Sequence, residues 1–121
     1  MLKADGQPAA ALIEALELQP HPEGGFYTET YCSPEVIVHS ALPDRFNGDR
    51  AFSTAIYFLL PSGALSALHR IHSDEVWHFY AGDPLELLMI TPEGEASTII
   101  IGNDPQQGQH FQFVVPAGYW F

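Results

Sequence analysis

Cys32 is the only cysteine in the chain, so no internal disulfide can form and no cysteine cluster can hold a metal. A lone thiol fits a reducing, cytoplasmic setting. Basic residues are also scarce: four Lys and Arg face fifteen Asp and Glu, for a formal charge of -11. Nucleic acid and anionic membrane surfaces are poor partners for such a chain, because nothing offsets phosphate repulsion. No run approaches the roughly 20 apolar residues that a membrane helix needs. The N-terminal stretch offers Lys3 but meets Asp5 at once and is broken by Glu14 and Glu17, which is not the pattern of a signal peptide. Also missing are the Asn-x-Ser/Thr acceptor, a phosphate-cradling glycine loop and the Gly-x-Ser-x-Gly nucleophile elbow.

What is present points to one folded unit. The 121 residues are 46% hydrophobic and 12% aromatic, which argues against disorder and for a single domain spanning residues 1 to 121. One helix is expected near the start. Pro8 suits a first helical turn, Leu12, Ile13 and Leu16 recur at helical spacing, and Pro20 and Pro22 stop it. Beyond that point Gly and Pro punctuate short runs rich in aromatic and branched residues. Eight strands are expected, at 26–32, 36–39, 52–60, 64–71, 75–81, 85–91, 97–101 and 111–115, with a tight turn over Thr91 to Gly94 and a loop from Ala41 to Arg50. Such spacing predicts an all-β sandwich or barrel rather than alternating helices and strands.

The chemistry-bearing segment runs from Gly63 to Gly82. It holds His69, His72 and His78 with the acidic pair Asp74 and Glu75. Imidazole and carboxylate suit divalent iron, manganese, nickel or zinc, and two histidines with one carboxylate can cap one face of such an ion. Residues an even number apart on a strand share a face. His69 near one strand's end and Glu75 near the next strand's start therefore meet across a hairpin. His78 lies three residues from Glu75, which puts it on the opposite face unless a bulge repairs the parity. His21, His39 and His110 have no partner nearby in sequence and read as structural or surface residues. His72 and Asp74 read as turn residues, and Cys32 beside Tyr31 reads as packing.

The same segment resembles the first signature of the cupin superfamily: Gly63, His69, Glu75 and Gly82 fall at its spacing, and Ile71 stands in the place of the signature's second histidine. Pro116-Ala-Gly118 resembles the second signature, with Phe121 where its histidine falls. A more specific resemblance is to the DUF985 group of cupins. It rests on His21-Pro-Glu-Gly-Gly-Phe-Tyr, Ser53-Thr-Ala-Ile-Tyr-Phe-Leu-Leu, the block from His69 to Leu87, and Val114-Val-Pro-Ala-Gly-Tyr-Trp. The resemblance implies a double-stranded β-helix barrel with one short N-terminal helix, usually paired as a homodimer, and kinship with sugar-nucleotide epimerases of the same barrel. Family members continue past the Pro-x-Gly segment, so a chain ending at Phe121 is expected either to be truncated or to take its missing barrel edge from a partner.

These readings converge on a cupin that binds a small polar, carbohydrate-like molecule. Glu75 acts as acid-base or ligand group, and His69 and His78 orient substrate or, with Glu75, hold a divalent metal. With Phe121 in the histidine's place, the metal-free route is a proton shift of isomerase or epimerase type. Competing readings are a non-catalytic metabolite-binding module and an inactive truncated family member.

Overall fold

The computed structural model describes residues 8–121. The leader-peptide reading at Lys3 and Asp5 falls outside them. The described residues divide into two units, one spanning Ala9–Ser66 and the other Ala67–Phe121 together with Pro8.

The first unit opens with the expected helix, α1 (Ala9–Ala15). It ends sooner than the apolar spacing suggests, because Glu17 takes a positive φ of 54° and turns the chain into β1 (Gln19–Pro20). β2 (Phe26–Cys32) coincides with its expected strand and lies between β1 and β5 (Thr54–Leu59), antiparallel to both. The β2–β5 register slips between Glu29 and Tyr31, so a bulge sits at Thr30. β3 (Val36–Ile37) and β4 (Arg50–Ala51) form a second, two-stranded sheet. The strand expected over 36–39 stops at Ile37 and gives way to a 3-10 turn, His39–Ala41. The loop after it is fastened from both sides. His39 donates from Nε2 to the Phe46 carbonyl at 2.9 Å, and its backbone N–H donates to Asp49 Oδ1 at 2.8 Å. Phe46 is buried, with the guanidinium carbons of Arg45 and Arg50 at 4.8 and 5.4 Å from its ring centroid. Such cation–π contacts cover an aromatic ring while leaving the charge in water.

The His21-Pro-Glu-Gly-Gly motif makes a closed turn into β2. The Gly24 N–H donates to the His21 carbonyl at 3.1 Å, and the His21 N–H to the Gly25 carbonyl at 2.8 Å. His21 Nδ1 accepts the Glu23 N–H at 3.0 Å, and the imidazole packs edge-on against Tyr27 and Phe58. Gly24 has a φ of 115°, and a Cβ there would collide with the Leu65 carbonyl oxygen, so only glycine fits the turn.

The second unit holds two sheets. β6 (Glu75–His78) pairs with β10 (Gln112–Val115). β7 (Leu85–Ile90) pairs antiparallel with β8 (Ala96–Ile101) across the expected turn at 91–94, and β9 (Gln109–His110) runs parallel to β8. Alternation along these strands builds the core. Leu87 and Met89 of β7, Ile101 of β8, Val115 of β10 and the terminal Phe121 are buried together, while Glu86 and Leu88 face outward. The strand expected over 64–71 is absent. Leu65 and Leu68 are exposed; His69 exchanges backbone hydrogen bonds with Phe121 at 3.0 and 2.9 Å, and the Ile71 carbonyl accepts the Gly118 N–H at 3.0 Å. Trp120 likewise bridges to Ile90. None of the sheets closes on itself among the described residues, so no closed barrel is present there; the pairings are antiparallel except where β9 joins β8.

Candidate functional site

Glu75 and Trp77 occupy alternate positions of β6 and turn the same way, toward the side where Val115 and Phe113 of β10 are covered. Glu75 is only partly exposed, and loss of water pushes its carboxyl pKa above the ordinary 4.5. The nearby His69 imidazole opposes that rise, and so does the polar indole N–H of Trp77, but burial remains the larger effect. The structure thus brings His69 and Glu75 together. It does so by pairing the extended segment at His69 with Phe121, not by a hairpin between two strands.

His69 is held at two points. Its Nδ1 lies 2.9 Å from the Ala67 carbonyl oxygen, which can only accept, so Nδ1 carries the hydrogen. That bond sets the tautomer and the orientation of the ring. The ring also lies against Phe121, centroid to centroid 4.4 Å, and Phe121 in turn meets Trp77 edge-on at 6.4 Å. Phe121, which in sequence stands where the second cupin signature has a histidine, thus packs its ring against His69. The spacing marked the position; the packing against His69 was not read from it. The Ala67 carbonyl, a backbone group, left no trace in the sequence.

His78 goes elsewhere. Joining it to Glu75 requires a bulge, yet β6 and β10 stay in unbroken register from Glu75↔Val115 to His78↔Gln112. His78 keeps the outward face, where its Nδ1 accepts the Gln112 side-chain amide at 3.3 Å and its ring stacks near Tyr80 at 6.4 Å. Val76 and Val114 form the neighbouring cross-strand pair on this exposed face. Asp74 serves the loop instead of the chemistry: its Oδ1 accepts the Ala117 N–H at 2.9 Å and ties the entry of β6 to the Pro116-Ala-Gly118 segment. His72 and His110 are exposed, as expected of turn and surface residues. Among the described residues no three His, Cys, Asp or Glu side chains converge as a metal site. Of the three residues expected to hold a divalent ion, His69 and Glu75 lie together and His78 is on the other face, which leaves two of the three donors at the site.

Comparison with known proteins places these features in a family. The model of the cupin superfamily group DUF985 matches residues 10–121. An uncharacterized protein of Saccharomyces cerevisiae, YML079W, is 28% identical over 113 residues, covering 88% of this chain and 56% of its own. The crystal structure of protein SO0799 from Shewanella oneidensis superposes with a TM-score of 0.82 at 41% identity, over 94% of this chain and 66% of that one. A hypothetical protein from Leishmania major gives 0.83 at 34% identity, over 94% and 68%. The chain thus spans between about half and two-thirds of the length of these relatives. With the family model matching nearly its whole length, the chain belongs to the DUF985 family of the cupin superfamily.

Proposed function

We propose that the chain works as one cupin domain that binds a small polar, carbohydrate-like molecule at His69 and Glu75 and moves a proton on it, in the manner of an isomerase or epimerase. The observation that carries this reading is the pairing of a part-buried carboxyl of raised pKa with an imidazole whose Nδ1 is already committed to a backbone carbonyl. A neutral His69 accepts a proton at Nε2, and a protonated Glu75 supplies one, so the exchange balances without a redox partner. Raising a carboxyl's pKa by burial is the usual way to keep such an acid available. Apolar walls from Phe121 and Trp77 suit the carbon face of a small ligand. His78 stands outside this constellation because of the strand face it occupies.

A homodimer is part of the proposal. The outward face carrying Val76, Val114 and Tyr80 leaves apolar area exposed, which favours association. A cytoplasmic setting rests on the single thiol. No helix among the described residues is long and apolar enough to cross a membrane.

The test pairs Glu75→Gln and His69→Ala with a carbohydrate panel followed by calorimetry, together with solvent-deuterium exchange into any bound sugar. Both variants are expected to fold, to lose binding and to lose exchange. Binding without exchange in the unaltered protein would assign it instead to non-catalytic metabolite capture. Unfolding of both variants would make the pair structural and sink the reading.

A further inference from the structure

The charge around the pair narrows its ligand. Residues 67–121 carry seven Asp and Glu, Glu75 among them, against the single cation Arg70. That cation is spent on the other face. In extended backbone, neighbouring residues point opposite ways. His69 and Phe121 turn inward, Phe121 being only 6% exposed. Arg70 and the more exposed Trp120 turn outward, with the guanidinium carbon 4.9 Å from the indole centroid. Among the described residues of this unit, then, no guanidinium or ammonium is directed at Glu75, and the nearby His69 imidazole already acts on that carboxylate. An incoming phosphate or carboxylate would meet a partly buried carboxyl that turns negative once it gives up its proton, with no fixed cation beside it and little water to screen the repulsion. It would also approach through the field of a unit with six more acids than bases, which repels anions at a distance.

We propose that the His69–Glu75 site takes a ligand with no anionic group, a polyhydroxy molecule free of phosphate and carboxylate. This rests on the reading of the pair as the binding site. It sets the substrate apart from nucleotide-linked or phosphorylated sugars, in which binding energy comes from the anionic end. Hydroxyls can exchange hydrogen bonds with Glu75 and His69, and the C–H face of the ring can lie on Phe121 and Trp77.

The experiment is calorimetry at low ionic strength with neutral hexoses, the same hexoses as 6-phosphates, and 2-amino-2-deoxyhexoses. The neutral and amino forms are expected to bind at least about tenfold tighter than the phosphates, a gap that Glu75→Gln narrows. Phosphates binding as well as or better than the neutral forms, with Glu75→Gln still abolishing binding, would overturn the inference and leave the site reading standing. No binding by any probe would overturn both. A ligand-free check uses Trp120→Phe, which leaves Trp77 as the sole indole of the two in the chain. Caesium should quench its fluorescence more strongly than iodide does; the reverse order would overturn the inference on its own.

Discussion

His69 and Phe121 pair as two rungs of a ladder: each backbone N–H donates to the other's carbonyl, at 3.0 and 2.9 Å, and their rings rest 4.4 Å apart. One contact therefore does two jobs. It brings the chain's last residue into the core with Leu87, Met89, Ile101 and Val115, and it fixes the imidazole that faces Glu75.

Phe121→Ala should accordingly cost about 3–5 kcal/mol of stability, the usual range for emptying a buried phenyl site, and weaken any ligand bound at His69. Phe121→His restores the signature's imidazole beside His69 and Glu75. It is expected to raise zinc or nickel affinity above that of the unaltered protein, read by calorimetry with the bare ions on both. No gain would show that ring position alone does not make a metal site here.

Glu75 makes stability depend on pH in a particular direction. Its folded pKa lies above the ordinary 4.5, so the folded chain holds this proton more tightly than the unfolded one. Stability from this group is greatest below pH 4.5 and falls as pH rises through the folded pKa. Denaturation of wild type and Glu75→Gln compared from pH 4 to pH 8 should show the wild type losing ground to the variant as pH climbs. A parallel pair of curves would mean that the carboxyl is not desolvated.

Gly24→Ala should destabilise by more than about 1 kcal/mol and broaden the resonances of the 61–66 segment, since the new methyl meets the Leu65 carbonyl at a φ where side chains are strained. A neutral effect would mean that the turn relaxes freely.

His78→Ala, on the exposed face of β6, should change stability by no more than about 0.5 kcal/mol and leave ligand binding untouched. Loss of binding would bring His78 into the site in spite of the register.

Much of the second unit was legible from period-two patterning. Glu75 and Trp77 alternate with Val76 and His78, and Leu85, Leu87 and Met89 alternate with Glu86 and Leu88, because a strand with one covered face imprints that rhythm on its residues. The tight turn at 91–94 was equally plain from Pro and Gly. The stretch over 64–71 misled because Leu65, Leu68 and Ile71 look like strand residues locally. Strand formation there depends on a partner, and only the end of the stretch finds one, His69 with Phe121 and Ile71 with Gly118. The parity of His78 was visible; that no bulge would rescue it was not, because bulges are settled by the opposing strand. At Thr30, where the register does slip, nothing in the Glu29-Thr-Tyr31 sequence announces it.

The pairing of His69 with Phe121 also bears on the order of assembly. Turns such as that between β7 and β8 close over a few residues, whereas this contact must close a loop nearly as long as the whole unit, and long loops close late and at a higher entropic cost. The site is thus expected to be among the last parts of the unit to form on refolding, after the hairpin it rests on. A nascent or partly unfolded chain would then possess strands before it possesses a binding site.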